Sequence, residues 1–213
     1  MTLKYLYSLL LCILVSSGAA QAVAQSPEEI VKTTADQVIA RLQADREELK
    51  ARPEMIYGLV DDLIVPKFDF RSMSMMVLGK NWRTATAAQQ AAFTAQFQTL
   101  LVRTYTKALL EYSDDKIVYH PEQKDQDSKL VLVKTDIART GSSKIPINYN
   151  LYSKDGEWKV VDVIIDGISL VSTYRGSFAA EIRTKGLDSL IQQLVDKNNL
   201  TAINNTQPSS GTR

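Results

Sequence analysis

The sequence predicts an α+β fold in which helices pack on one face of an antiparallel sheet. Apolar residues recur at three- and four-residue spacing up to about residue 112 and again after residue 170, as in amphipathic helices. Between these regions apolar and polar residues alternate, which is typical of strands. Residues 158–178 join the two patterns, because a β-branched run ends at Asp166-Gly167 and helical spacing follows.

The first 24 residues of this 213-residue chain have the features of a secretory signal peptide. Lys4 precedes an apolar run at residues 6–15. The A-x-A sequence at residues 22–24 resembles a cleavage site, and residues 18–20 are a weaker alternative. The apolar run is too short for a transmembrane helix, although an uncleaved membrane anchor stays open as an alternative.

The rest of the chain is predicted to form a single domain at residues 25–200, followed by a disordered polar tail at residues 201–213. Cys12, the only cysteine, lies in the leader, so no disulfide is expected in the mature chain. Removal of the leader takes away one of 25 basic residues and leaves 24 basic against 24 acidic residues. This balance argues against a nucleic-acid-binding protein. We expect no transmembrane segment after the leader, because no later stretch is long and apolar enough.

Three helices are predicted before residue 80 from their capping signals. Ser26, followed by a proline and two glutamates, begins a helix that should run to about residue 49. Pro53 begins a second helix, which Pro66 ends. Asp69 is the predicted N-cap of a short third helix, which contains three closely spaced methionines and ends at Gly79.

The longest predicted helix begins at a capping box, Thr86 with Gln89, and reaches about residue 112. Its apolar residues at helical spacing are Phe93, Phe97, Leu100, Leu101, Tyr105, Ala108 and Leu109. Two more helices are predicted at the end of the domain, one from Leu170 to Gly186 and one beginning at Leu187.

Four strands are predicted between these helices, at residues 116–120, 129–138, 144–152 and 157–165. Asp155-Gly156 is a strong hairpin turn, so the last three strands should form an antiparallel meander. Pro146 lies inside the third strand. This position favours an edge strand or a bulge, because proline cannot donate a ladder hydrogen bond.

The fourth predicted strand has two apolar faces and should therefore lie in the centre of the sheet. Strict alternation places on one face Val161, Val163 and Ile165. It places on the opposite face Trp158, Val160, Asp162 and Ile164.

Few residues point to catalysis or to a metal site. His120 is the only histidine and the predicted mature chain has no cysteine, so neither a metal site nor a catalytic triad is expected. Asp162 lies within an apolar run, and a buried carboxyl group there is able to act as a general base, as in cone-fold isomerases. Pairing with a cation, for which Arg175 is a candidate, or exposure at the rim is the commoner outcome. We therefore predict no catalytic residue.

Two long stretches carry a resemblance to a known family. They read PKFDFRSMSMMVLGKNWRTATAAQQAAFTAQFQTLLVRTY at residues 66–105 and GEWKVVDVIIDGISLVSTYRGSFAAEIRTKGLDSLIQQL at residues 156–194. In this order they resemble the MlaC family, also described as the auxiliary component of a toluene-tolerance ABC transport system. The resemblance covers nearly the whole predicted mature chain, but the polar tail after Leu200 does not align.

The resemblance implies a twisted antiparallel sheet cupped by helices around an apolar cavity, an NTF2-like or cone-shaped α+β fold. It also implies a periplasmic carrier, not an enzyme, that maintains outer-membrane lipid asymmetry. Such a carrier would move glycerophospholipid between an outer-membrane Mla lipoprotein–porin complex and an inner-membrane Mla ABC transporter complex. The phospholipid would be cargo, with no other cofactor. Apolar periodicity alone does not distinguish such a hollow interior from a filled core.

A lipid carrier has to bury the acyl chains and leave the head group in water. The residues expected to line the chains, chosen by face and position, are Val77, Leu78, Phe97, Leu101, Tyr105, Ile147, Tyr149, Val161, Val163, Ile165, Ile168, Val171 and Tyr174. Lys80 and Arg83 are candidates for contact with the head group or a partner at the mouth. A carrier of quinones, sterols or acyl groups would share these patterns, and a cone-fold isomerase is a more remote alternative.

Overall fold

The computed structural model of the protein describes residues 25–111, 116–121, 129–138 and 143–206, with the side chains of residues 201–206 left out. The predicted leader at residues 1–24 and the end of the predicted tail lie outside the described residues. Within them, helices pack on one face of a five-stranded antiparallel sheet. The predicted α+β fold class is confirmed.

Along the described part of the chain, seven helices precede the strands and two follow them. In chain order they are α1 (Pro27–Ala44), α2 (Arg46–Ala51), α3 (Ile56–Leu63), α4 (Phe70–Leu78), α5 (Lys80–Thr84), α6 (Ala87–Tyr105), α7 (Lys107–Leu110), α8 (Leu170–Lys185) and α9 (Leu187–Thr206). The strands are β1 (Lys116–Tyr119), β2 (Leu130–Ala138), β3 (Ile145–Lys154), β4 (Glu157–Ile165) and β5 (Ile168–Ser169), and they are neighbours in that order.

The predicted helix starts are confirmed by their capping hydrogen bonds. Ser26 and Glu29 form a reciprocal capping box at the start of α1, and Thr86 and Gln89 form another at the start of α6. The Asp69 carboxylate accepts a hydrogen bond from the Ser72 backbone N–H at 2.9 Å and so caps α4. These local signals fix the starts of α1, α4 and α6, which all pack against the sheet.

The predicted helix ends are less accurate than the starts. The first predicted helix is divided at Asp45, which adopts φ −96° and ψ 11° between α1 and α2 and accepts a hydrogen bond from Arg41. The second begins as a 3-10 turn at Pro53–Met55 before α3. At the other end of the domain, α9 continues to Thr206, six residues beyond the boundary expected at Leu200. No glycine or proline marks Asp45 or Leu200, so the sequence gives no local stop signal.

The strands form the predicted meander, with Asp155 and Gly156 both at positive φ in the β3–β4 turn. The expectation that Pro146 puts β3 at an edge is wrong, because β3 lies between β2 and β4. Pro146 is the second residue of β3 and lies beyond the last β3–β4 pair, Ile147 with Ile165. Proline has no backbone N–H, and Pro146 lies at a position where β4 no longer pairs with β3. The Pro146 carbonyl accepts a hydrogen bond from the Asp166 N–H at 2.9 Å.

A β-bulge interrupts the alternation of β4. Leu151 lies opposite Val160 and Asn150 lies opposite Asp162, which leaves Val161 as the extra residue. The bulge shifts the phase of the strand, so Val160 faces the same side as Val163. The prediction that Val160 and Val163 point to opposite faces is therefore wrong.

Two apolar clusters hold the domain together. The main core lies between the inner face of the sheet and helices α1, α4, α6, α8 and α9. A second cluster joins the first three helices through Val38, Leu42, Leu49, Ile56 and Leu59. Among the described residues, no helix has the length and apolar character needed to cross a membrane.

Candidate functional site

Ten of the thirteen residues predicted to line a cavity meet in the main core. Six of them are buried: Val77, Leu78, Phe97, Leu101, Val163 and Val171. Four are half-buried against the same cluster: Ile147, Tyr149, Ile165 and Tyr174. The structure therefore brings together residues from α4, α6, α8 and two central strands.

The other three residues lie outside this group. Ile168 is 61% exposed on β5, because the tight turn at Asp166-Gly167 places it at the free edge of the sheet. Val161 is buried, but it is the bulge residue and does not belong to the main core. Tyr105 is 36% exposed at the end of α6, where it forms a hydrogen bond with Tyr174.

One part of the interior is closely packed by aromatic rings. Phe97 stacks on Phe93 with ring centroids 5.6 Å apart, and its edge meets Tyr174 at 5.3 Å. Phe178 contacts all three rings at 5.4 to 6.2 Å. Phe93 and Phe97 have no exposed surface. This aromatic cluster fills the space between α6 and α8 and leaves no room for a ligand there.

Another part of the interior is less completely covered. Leu151 of β3 has no exposed surface, yet Ile147 and Tyr149 on the same face of the same strand are half-buried. Both edges of β3 are paired, with Val133 and Val163 flanking Tyr149. These side chains thus retain some accessible surface even though strands pair on both sides of β3. We call the inner-face residues Ile147, Tyr149 and Ile165 the open face.

Tyrosine hydroxyls lie in and beside this open face. Burial raises the pKa of Tyr149 to about 12, although a hydrogen bond with Thr135 acts in the opposite direction. Burial also raises the pKa of Tyr105 and of Tyr119 to about 12, and nearby Asp36 adds to the effect at Tyr119. Burial thus acts on all three hydroxyl groups, and those of Tyr149 and Tyr105 are hydrogen-bonded to Thr135 and Tyr174.

Tyr119 and Thr135 were not among the predicted site residues. Thr135 is 1% exposed and lies opposite Tyr119 on one side and Ile147 on the other. Its hydroxyl donates to the Ile147 carbonyl at 2.6 Å. Strand alternation predicts that Thr135 faces the core, because it lies two residues after Val133 and therefore shares its face.

Asp162 is 8% exposed and is held by the start of α8. Its carboxylate accepts hydrogen bonds from the Ser169 hydroxyl at 2.6 Å and from the Val171 N–H at 3.0 Å. The predicted partner, Arg175, instead packs against Gly79, where a Cβ would lie 3.4 Å from its guanidinium. Asp162 therefore has a structural role at a helix N-terminus, where a negative charge is favoured.

The remaining charged candidates lie on the surface. Lys80 and Arg83 are exposed on α5, beside Trp82, whose ring lies 5.1 Å from the Arg71 guanidinium. His120 meets the Asp136 carboxylate at 2.9 Å on the outer face of the sheet. Among the described residues, no three His, Cys, Asp or Glu side chains are grouped closely enough to hold a metal ion.

A separate pocket of about 360 Å³ lies beside the second apolar cluster. Its lining consists of Leu42, Arg46, Leu49, Lys50, Pro53, Leu109 and Leu110. It contains none of the thirteen predicted residues, and its Lys50 is paired with Glu47 at 2.6 Å. The pocket is therefore distinct from the open face.

Comparisons with known proteins bear on this arrangement. The family model described as MlaC protein matches residues 32–196. The chain is 29% identical over 180 residues to toluene tolerance protein ttg2D of Pseudomonas putida, which covers 84% of this chain and 83% of that protein. It is 24% identical over 172 residues to the intermembrane phospholipid transport system binding protein MlaC of Haemophilus influenzae, covering 79% and 80%.

A solved structure shares the fold. It is the phospholipid-binding protein from Ralstonia solanacearum in complex with a phospholipid. The two chains superpose with a TM-score of 0.77 and are 30% identical, and the match covers 84% of this chain and 99% of that one.

Proposed function

Since the chain belongs to the MlaC family, we propose that it binds a glycerophospholipid and carries it through the periplasm. The carrier would pass its cargo between an outer-membrane Mla lipoprotein–porin complex and an inner-membrane Mla ABC transporter complex, and so maintain outer-membrane lipid asymmetry. The leader at residues 1–24 would direct export and then be cleaved off, which leaves residues 25–200 as the lipid-binding domain.

The observation that carries the proposal is the incomplete burial of the open face. Ile147, Tyr149 and Ile165 lie on the helix-covered face of the sheet, towards the end of the β3–β4 pairing, and they retain accessible surface. A fully packed core of this size leaves few gaps larger than a water molecule. Relatives named as phospholipid transport and phospholipid-binding proteins support a lipid as the occupant.

The physical need for such a carrier follows from the hydrophobic effect. Each methylene removed from water contributes about 0.8 kcal/mol, so two acyl chains with about 32 methylenes gain on the order of 25 kcal/mol. Free phospholipid therefore crosses water slowly, and a protein interior has to replace the membrane during transfer. The charged head group stays in water, because its burial without partners is costly.

We propose that the acyl chains lie against the open face and the neighbouring residues of α4, α6 and α8. Of the thirteen predicted residues we leave out Ile168, whose side chain is exposed, and Val161, which lies outside the main core. We also leave out Phe97 and Tyr174, which belong to the filled aromatic cluster. The lipid is cargo, and we assign no catalytic residue, metal ligand or cofactor. The Asp162 carboxylate oxygens are both used in hydrogen bonds, one with the Ser169 hydroxyl and one with the Val171 N–H.

The first experiment identifies the cargo. Protein purified from periplasm without detergent is extracted with organic solvent, and the extract is analysed by mass spectrometry. We expect diacyl glycerophospholipid in an amount comparable to the protein. A quinone or sterol in its place would support a carrier of another apolar ligand, and an extract without lipid would contradict the proposal.

A second experiment tests the carrier role separately from binding. Protein loaded with isotope-labelled phospholipid is mixed with vesicles that contain the reconstituted inner-membrane complex, and labelled lipid in the vesicles is followed with time. Transfer should be faster than into vesicles of the same lipids without the complex. Equal rates would leave lipid binding intact but contradict delivery to that complex.

A further inference from the structure

The segment at residues 70–110 has an unbalanced charge. It contains no acidic residue, and its basic residues are Arg71, Lys80, Arg83, Arg103 and Lys107. The predicted mature chain as a whole has 24 basic and 24 acidic residues. The excess of positive charge is therefore local, and it falls on the helices from α4 to α7.

The solvent face of α4 carries the first of these cations. Arg71 and Met75 are four residues apart, so they lie on one face of the helix, and both are exposed. Gly79 follows after four more residues, and its N–H donates to the Met75 carbonyl at 2.9 Å. The Arg175 guanidinium of α8 packs against Gly79. Arg71, Met75 and Arg175 therefore form a row along the outside of α4.

Helix α5 places two further cations beside this row. Lys80 directly follows Gly79, and Arg83 lies three residues later on the same side of the helix. Both side chains are exposed. Between them in sequence, the buried Trp82 has its ring centre 5.1 Å from the Arg71 guanidinium, so α5 folds back along α4. The cationic patch is the name we give to Arg71, Lys80, Arg83 and Arg175.

The four cations of the patch have no carboxylate partner in the described part of the chain. Other exposed arginines are paired. On α1, Arg41 is paired with Asp45 at 3.0 Å, and on α2, Arg52 is paired with Glu48. The acid that precedes α4, Asp69, is used as the cap of that helix. The positive charge of the patch is therefore left to attract an anionic partner.

The patch lies on the outer side of helices that bound the candidate lipid site. On the inner side of α4, Val77 and Leu78 are buried in the main core, and α8 contributes Val171 to the same core. Met75 is 47% exposed among the cations of the patch. An acidic protein surface would satisfy the cations, but the boundary between the head groups and acyl chains of a bilayer also accepts an apolar side chain.

We propose that the cationic patch docks the protein on the surface of a bilayer that contains anionic phospholipids. The contact is peripheral and reversible, because it depends on four charges and one apolar side chain. The inference goes beyond the proposed function, since it assigns a membrane contact that requires neither of the two protein complexes. Docking in this orientation brings α4 and α8, which cover the candidate lipid site, next to the membrane.

The experiment measures binding of the mature protein, as purified, to two kinds of vesicle. One kind consists of phosphatidylcholine, and the other of equal parts of phosphatidylcholine and phosphatidylglycerol. Sedimentation of the vesicles gives the bound fraction at low and at high ionic strength. Each cation near an anionic surface adds about fivefold to binding, so we expect binding to the anionic vesicles to be stronger on the order of a hundredfold. This preference should be lost at high ionic strength.

Paired variants locate the contact. Lys80→Gln combined with Arg83→Gln removes two exposed charges and should weaken binding to the anionic vesicles by roughly 20-fold. Met75→Ser leaves the charge unchanged and should weaken binding less. The control combines Arg41→Gln with Arg52→Gln, which changes the net charge equally at positions that are paired with carboxylates. The control should bind like the unmodified protein.

Each other outcome overturns the docking proposal. Equal binding of the unmodified protein to the two kinds of vesicle would make an acidic protein surface the partner of the patch. Equal losses in the two double variants would show that net charge governs binding, not the patch. The lipid that co-purifies with each variant is measured in the same preparations. Its loss from the Lys80→Gln, Arg83→Gln protein would assign these cations to the head group of the cargo.

The same measurements keep docking separate from the carrier function. Unmodified protein that purifies without lipid but binds the anionic vesicles would contradict the proposed function and support the docking proposal. Unmodified protein that contains phospholipid but shows no preference for the anionic vesicles would do the reverse.

Discussion

Ile147 and Ile168 are both isoleucines that the sequence assigns to the lipid site, yet the structure gives them different surroundings. Ile147 is half-buried on the open face, and Ile168 is 61% exposed at the sheet edge. We predict that Ile147→Trp fills the space for an acyl chain and reduces the lipid that co-purifies with the protein. The measurement is phosphorus per protein after solvent extraction.

The matched control is Ile168→Trp, which adds the same volume outside the core and should retain the lipid. Ile147→Trp should also remain folded at a cost below the 1–3 kcal/mol typical of overpacking, because it enters open space. Unchanged lipid content in a folded Ile147→Trp protein would remove Ile147 from the site.

Asp162 has a structural explanation that can be tested by its removal. Asp162→Ala deletes the acceptor for Ser169 and for the Val171 N–H, and it should lower the free energy of unfolding by about 2 kcal/mol. Urea unfolding measures the change. Asp61→Ala, at an exposed position on α3, should change stability little. A stable Asp162→Ala protein would show that the buried carboxylate does not hold α8.

The tyrosines of the interior predict a loss of stability in alkaline solution. The pKa values of Tyr105, Tyr119 and Tyr149 are raised from 10 to about 12, so the folded protein keeps protons that the unfolded chain releases between these values. This stabilisation is fully present below pH 10 and is lost as the pH rises towards 12. Urea unfolding across this window should show the decline.

Replacement of one of these tyrosines separates its contribution. Tyr149→Phe should make the decline shallower, because one group with a raised pKa is gone. Tyr152→Phe, on the outer face, serves as the control. The explanation fails if the free energy of unfolding depends on pH in the same way in Tyr149→Phe and Tyr152→Phe.

At the level of elements, the sequence predicts the features that depend on neighbouring residues. The capping boxes at Ser26 and Thr86 and the turn at Asp155-Gly156 are all present. The sequence does not predict the bulge at Val161, because residues on both sides of it form contacts with distant parts of the chain. The Phe68–Asp69 segment bonds to Val160, and the start of α8 bonds to Asp162. Alternation within β4 alone contains no trace of either contact.

The cap of α6 provides a prediction at this scale. Thr86→Ala removes the hydroxyl that accepts from the Gln89 N–H at 3.2 Å, and it should destabilise the protein by about 1 kcal/mol. Thr99→Ala makes the same substitution in the middle of α6, where alanine is the better helix former. Chemical denaturation should therefore show a lower free energy of unfolding for Thr86→Ala and an unchanged or higher one for Thr99→Ala. Equal effects would argue against a capping role.

For the whole molecule, lipid binding and stability are linked. A ligand present at about a thousand times its Kd stabilises a protein by about 4 kcal/mol. In a domain of this size that corresponds to an increase in Tm on the order of 10 °C. Lipid-loaded protein should therefore melt at a higher temperature than protein stripped of lipid. Calorimetry of both forms measures the difference, and identical melting would contradict lipid burial in the core.

At the scale of the whole molecule, the sequence predicts the elements but not how densely they pack against each other. The order of helices and strands and the apolar faces of α4, α6 and α8 followed from periodicity, because burial of a face imposes the period. The contrast between the filled aromatic cluster around Phe97 and the open face around Ile147 did not follow. Both regions consist of apolar residues with the same spacing, and their packing depends on how far the helices stand from the sheet.

The strand order also has a consequence for folding kinetics. Every neighbouring pair in the sheet is consecutive in the chain, so loop closure costs little entropy and the hairpins can assemble early. The last helix is different. The Asn198 side chain donates to the Gln96 carbonyl at 3.0 Å across 102 residues, and α9 packs along α6. Until α9 docks, the apolar residues it covers stay accessible, so the folding chain is most prone to aggregation in this final step.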